Sequence, residues 1–318
     1  MSNILVSADL DEPNSRKSRE FKKNFMNMFE LAGKPNLIDF FPWLGVVDPQ
    51  RIRARVKPPF FKTLSFLDSI IGQRLAERER LGRNDGGDRD VLDTLLNMAE
   101  DDNEDLTRID IKHLLSDLFM AATDTTSGTL EWAMSELMRN PEAMARAKAE
   151  LDQVIGQGEQ VKESDIPRLP YLQALVKETT RLHPLFPFLI PRKTIQDEEL
   201  CGYTIPKDAQ VLVNVWAIGR DRDVWGDDPD GFKPERFLGS DVDFRGGCFE
   251  LIPFGSGRRI CVGMPLASRM LHLMLGSLIN CFDWKLEGGG KPEDIDMGEV
   301  FGLALQRAKP LRLVPVAV

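Results

Sequence analysis

The stretch Pro253 to Gly263, PFGSGRRICVG, restricts this chain more than any other. A single cysteine stands among three glycines and two adjacent arginines. A thiol that serves only packing behaves as a small hydrophobe and takes apolar neighbours. Here the neighbours are charge and bare backbone, so the loop reads as a ligand site. Gly255, Gly257 and Gly263 let the backbone approach a flat group closely. Arg258 and Arg259 supply positive charge that favours the thiolate, and a helix opening just after Cys261 aims N–H groups at the sulfur.

The rest of the chain bounds what that ligand can be. Four cysteines, Cys201, Cys248, Cys261 and Cys281, are widely spaced, with no CxxC pair and no disulfide framework. One cysteine without a neighbouring Cys or His is not a zinc set. His113, His183 and His272 carry no ligand spacing and read as capping, packing or exposed. A net charge of -9 without a basic block argues against nucleic acid. No apolar run reaches the roughly 20 residues that span a bilayer.

Apolar residues recur at helical spacing over Ser18 to Leu31 and Arg51 to Leu81, joined by a Pro- and Gly-marked link. Gly82 to Asp88 reads as an exposed connection. Thr107, with Asp110 three residues on, caps a long helix that Asn140-Pro141 ends at Arg139. Further helices are expected over Pro141 to Ile155, Pro170 to Leu182 and Gly263 to Cys281. Strands are expected over Glu199 to Ile205, Gln210 to Trp216 and Leu311 to Val314, around a Gly-, Asp- and Pro-rich meander from Gly219 to Gly247. The fold class is mainly α with a minor antiparallel β-sheet.

A lone thiolate suits axial ligation of haem iron. Phe254-x-x-Gly257-x-Arg259-x-Cys261-x-Gly263 resembles the signature loop of the haem-thiolate monooxygenases, the cytochrome P450 superfamily. Glu178-Thr179-Thr180-Arg181 and Pro234-Glu235-Arg236-Phe237 resemble that family's ExxR and PERF elements. The resemblance implies a buried triad of Glu178, Arg181 and Arg236 that assembles the haem pocket without doing chemistry. Ala121-Ala122-Thr123-Asp124-Thr125 resembles its oxygen-binding helix. There Ala121 allows close approach of the cofactor, and Asp124 with Thr125 is the acid-alcohol pair that passes protons. The family most often has glycine where this chain has Ala122. Arg192 and Arg259 match positions that pair with haem propionates, the competing reading for Arg192 being a solvated arginine.

The resemblance implies haem b held by Cys261, and electrons from NADPH through a separate NADPH-cytochrome P450 reductase. The reaction would insert one atom of dioxygen into a small hydrophobic substrate. Phe119, Leu185, Phe186, Phe188, Leu189, Leu303 and Ala304 would line its pocket. Ala8-Asp9-Leu10-Asp11, Gly33-Lys34-Pro35-Asn36 and Phe301-Gly302-Leu303 are most similar to plant microsomal terpenoid hydroxylases of the geraniol hydroxylase type. Residues 1–318 are expected to form a single partial cytochrome P450 domain, an amino-terminally truncated form without anchor, first sheet and early helices. It runs as 1–106 roofing the substrate, 107–184 from the oxygen-binding helix to the ExxR helix, and 185–318 with strands, meander, cysteine loop and terminal hairpin. The full-length form would sit on the cytosolic face of the endoplasmic reticulum membrane. Two alternatives stand beside this reading: an inactive or non-enzymatic fragment, and a haem-thiolate isomerase, a class that lacks the acid-alcohol pair.

Overall fold

The computed structural model describes residues 1–8, 10, 16–81, 90–100, 106–302 and 304–318. They form two compact units, Met1–Asp124 and Thr125–Val318. The expected connection Gly82 to Asp88 lies outside the described residues, as does Leu303.

The first unit is helical: α1 (Ser2–Val6), α2 (Arg16–Ala32), α3 (Leu37–Phe40), α4 (Ile52–Leu81), α5 (Val91–Glu100) and the first half of α6 (Arg108–Arg139). Its core joins Phe21 and Phe25 of α2, Leu67 and Ile71 of α4, Leu92 and Leu96 of α5, and Ile111, Leu115 and Phe119 of α6. The helical spacing of these residues puts each set on one face, which is why the segments fold as helices and pack. The α6 cap closes reciprocally: the Thr107 N–H donates to Asp110 Oδ2 (2.9 Å) and the Asp110 N–H to Thr107 Oγ1 (3.2 Å). Arg74 of α4 bridges Asp90 (2.8 Å) and Asp93 (2.6 Å), and Arg78 also reaches Asp93 (2.8 Å). Burial alone would raise the Asp93 pKa, but the two guanidinium partners outweigh it and hold the carboxyl below its ordinary range.

The second unit holds the rest of α6, then α7 (Pro141–Val154), α8 (Pro170–Leu182), the single turns α9 (Val215–Ile218) and α10 (Arg222–Trp225), and α11 (Met264–Cys281). Leu137, Leu151, Leu172, Leu175, Leu275 and Ile279 are its fully buried centre. Both carboxylate oxygens of Glu150 cap α8 by accepting the N–H groups of Tyr171 (2.8 Å) and Leu172 (2.9 Å). Among the described residues no helix is long and apolar enough to cross a membrane.

The β structure differs from expectation in detail. Among the described residues it consists of four separate two-stranded antiparallel ladders: β1 (Arg192–Lys193) with β4 (Gln210–Val211), β2 (Glu198–Leu200) with β3 (Tyr203–Ile205), β5 (Phe282–Leu286) with β8 (Leu313–Ala317), and β6 (Glu299–Phe301) with β7 (Leu305–Arg307). The stretch Glu199 to Ile205 is therefore a hairpin, turned by Cys201 (φ 51°) and Gly202 (φ 81°). Gln210 to Trp216 stops as a strand after Val211. Asn214 Oδ1 accepts the Ala217 N–H (3.0 Å), and that cap diverts Val215 and Trp216 into a helical turn. The terminal strand begins at Leu313, in the register Leu286↔Leu313 through Phe282↔Ala317.

Candidate functional site

The cysteine loop is shaped by its own backbone. Gly255 (φ 75°) and Gly257 (φ 67°) occupy the left-handed region that side chains disfavour. They let the chain fold back so that the Cys261 N–H donates to the Phe254 carbonyl (2.9 Å). The Met264 N–H then donates to the Cys261 carbonyl (3.2 Å), and α11 starts. Gly263 has an ordinary φ of -79°, and a β-carbon there would stand 3.7 Å from Cys261 Sγ, an ordinary contact. Cys261 is exposed, with Val262 beside it 90% exposed. Arg258 and Arg259 are exposed on the short 3₁₀ turn Gly257–Arg259.

The meander supports the loop from behind. Ser256 Oγ donates to the Gly246 carbonyl (2.6 Å), and a β-carbon on Gly246 would meet Ile260 at 2.8 Å. Phe244 packs edge-on against Phe254 at 5.3 Å. An exposed sulfur beside glycine backbone fits a flat group that carries a metal. One thiolate leaves the other coordination positions to that group.

Glu178 and Arg181 of α8 are completely buried and paired through two hydrogen bonds, Arg181 Nε to Oε2 (2.7 Å) and the second guanidinium nitrogen to Oε1 (2.8 Å). Arg181 also donates to the carbonyls of Gly219, Pro229 (2.6 Å) and Gly231 (3.1 Å), while Glu178 accepts the Lys233 N–H (2.7 Å). Arg236 approaches Glu178 Oε1 at 3.5 Å and donates to the carbonyls of Trp225 and Asp228. One ion pair thus gathers the meander from residue 219 to residue 236. Tyr171 donates to Glu235 Oε1 (3.0 Å); its burial and this bond raise the phenol pKa above its ordinary range.

Some of the pocket candidates of the second unit have contacts of their own. Leu185 packs over Gly128, where a β-carbon would find its side chain 3.5 Å away, and Leu189 (φ 51°) reaches within 3.8 Å of the corresponding position on Gly255. The Leu305 N–H donates to the Leu185 carbonyl (2.7 Å), next to buried Ala304. Phe188 faces Phe301 edge-on at 6.5 Å, and Phe186 is half-buried. Arg192 is half-buried in β1 opposite Val211. Thr125 opens the second unit, and its carbonyl accepts from Thr129 Oγ1 (3.0 Å). Phe119, Ala121 and Asp124 belong to the first unit; Phe119 is a core residue there, edge-on to Phe21 at 5.6 Å.

Sequence reasoning missed a buried group beside these segments. His183 stacks on Trp132, and Arg307 lies by the same indole. Its only sequence signal is the adjacency of His183 to the ExxR helix, because the partners are 51 and 124 residues away.

Comparisons with known proteins agree with one another. The family model described as Cytochrome P450 matches residues 1–313. A geraniol 8-hydroxylase of Swertia mussotii is 56% identical over 99% of this chain and 62% of its own length. A drimenol monooxygenase of Persicaria hydropiper is 51% identical over the whole chain and 62% of its own length. The chain thus spans somewhat less than two thirds of these relatives. A zebrafish cytochrome P450 solved with progesterone superposes with a TM-score of 0.78 at 28% identity, over 98% of this chain and 68% of that one.

Proposed function

Since the chain belongs to the cytochrome P450 family, we propose that it serves a haem-dependent monooxygenase that hydroxylates a small hydrophobic plant metabolite, a terpenoid. The observation that carries this reading is the accessible Cys261 thiol, on a backbone whose N–H donates to the Phe254 carbonyl and beside the bare backbone of Gly263. The names of the relatives, a geraniol hydroxylase and a drimenol monooxygenase, support the terpenoid class.

Haem b, when bound, supplies dioxygen activation and insertion of one oxygen atom into a C–H bond. Cys261 would hold its iron. Phe254, Gly257 and Gly263 would lie against the ring, and Arg192 and Arg259 would take the propionates. Thr125 Oγ1 would hold a proton and receive its replacement from the Asp124 carboxyl. Leu185, Phe186, Phe188, Leu189 and Ala304 would exclude water and orient an apolar substrate. Glu178, Arg181 and Arg236 act only by holding the meander in place. Electrons come from NADPH through a reductase whose acidic face meets the exposed Arg258 and Arg259. The working location is the cytosolic face of the endoplasmic reticulum.

The test is the carbon monoxide difference spectrum of the chain reduced after haem is added. The strongly red-shifted band of thiolate-ligated haem is expected, and Cys261→Ser should abolish it while leaving the fold intact. A wild-type chain that takes up haem without that band, or takes up none, overturns the reading in favour of a non-enzymatic polypeptide.

A further inference from the structure

Two pocket-lining segments of the second unit are referenced to one buried side chain. Trp132 on α6 is 1% exposed. The His183 ring stacks on it in parallel, 4.0 Å between centroids and 3° between planes. One turn further along α6, Glu136 Oε1 lies 2.7 Å from His183 Nε2. His183 comes two residues before Leu185, so this contact fixes the start of the wall Leu185 to Leu189.

The other segment is fixed through Arg307. Its guanidinium carbon lies 5.2 Å from the centre of the Trp132 ring, and its side chain is 3% exposed. It donates to the Asp296 carbonyl (2.7 Å) before β6 and to the Lys309 carbonyl (3.3 Å) after β7, tying both feet of the hairpin that presents Phe301 and Ala304. Glu131 adds a second tie, accepting the Leu311 N–H at 2.7 Å with Arg307 Nε 3.8 Å away. A leucine could fill the same volume. A buried guanidinium and a buried imidazole instead need partners in set directions, and those directions define orientation as well as packing.

We propose that His183 and Arg307 are positioning residues for substrate selection: stacked against Trp132, they set the spacing between Leu185–Leu189 and the β6–β7 hairpin, and thereby the length of terpenoid the pocket accepts. The selection role rests on the monooxygenase reading above; the anchoring role does not.

The experiment uses the haem-loaded chain and two terpene alcohols of different length, geraniol and farnesol, whose binding is read from the shift of the haem Soret band. His183→Ala and Arg307→Met should each change the ratio of the two dissociation constants by about tenfold or more, the size of effect that a misplaced wall produces. His183→Gln, which keeps a donor for Glu136, should restore most of the ratio. The carbon monoxide spectrum should stay that of wild type in all three, which separates lost selection from lost fold. An unchanged ratio in the two disruptive variants overturns the proposal. Should the wild-type chain bind neither alcohol, amide hydrogen exchange over residues 296–309 decides the anchoring role. Arg307→Met should then speed exchange about tenfold or more, because the hairpin's feet lose their tie; unchanged exchange overturns it.

Discussion

Gly219 has no room for a side chain, because a β-carbon there would lie 2.6 Å from the Arg181 carbonyl oxygen. That oxygen is backbone at the end of a packed helix and cannot swing aside. Gly219→Ala should therefore cost about 1–3 kcal/mol of stability, the usual range for overpacking, as read from urea unfolding. Removing charge at the same place should cost more. Arg181→Ala would leave Glu178, 0% exposed, facing only the Lys233 N–H and a more distant Arg236. Breaking a buried pair from one side typically costs about 3–5 kcal/mol, and the same unfolding curves should show it. Arg181→Met with Glu178→Gln should recover part of the loss, since no uncompensated ion remains.

The helices α2, α4, α6, α7, α8 and α11 were legible because each carries an apolar stripe at helical spacing and most have a proline or a capping pair at an end. The strands were less so. Val211 to Trp216 has the composition of a strand, yet one side-chain oxygen on Asn214 decides otherwise, and β6 and β7 are three residues each, paired only because tertiary contacts hold them. The motif residues around Cys261 and Glu178 could be named from sequence because their spacing is local. The Trp132, His183 and Arg307 group could not, since nothing in the chain between them signals the meeting.

Element α11, which begins at the cysteine loop, carries its own pH sensitivity. His272 is 4% exposed, and its Nδ1 lies 2.5 Å from the Ser268 carbonyl. Burial lowers its pKa below the ordinary 6.5; the Ser268 carbonyl opposes this, and Lys177 adds to it. At pH values above 6.5 the ring is neutral in both the folded and unfolded chain, and the stabilisation is complete. As the pH falls, the unfolded chain takes up the proton first, so stability drains away until the folded pKa is passed. Thermal melts between about pH 7.5 and 5.5 should show a falling midpoint, with a shallower slope in His272→Gln. Parallel slopes for the two proteins would assign the pH dependence to other groups.

At the scale of the whole molecule the tryptophans divide unevenly between the two units. Trp43 lies in Met1–Asp124, while Trp132, Trp216, Trp225 and Trp284 lie in Thr125–Val318. Intrinsic fluorescence therefore reports mainly on the unit that holds Cys261, the Glu178 network and the stacked indole. A ligand that binds the folded unit alone raises its stability by mass action, by about 2.7 kcal/mol at a hundredfold excess over its dissociation constant. Haem added at such an excess should move the fluorescence-detected urea midpoint upward, and the far-ultraviolet signal of the remaining helices should move less. Cys261→Ser should lose most of the fluorescence shift, because the metal then has no thiolate. Equal shifts in wild type and Cys261→Ser would mean that haem adsorbs without using the sulfur, and the loop would then have no claim on the iron.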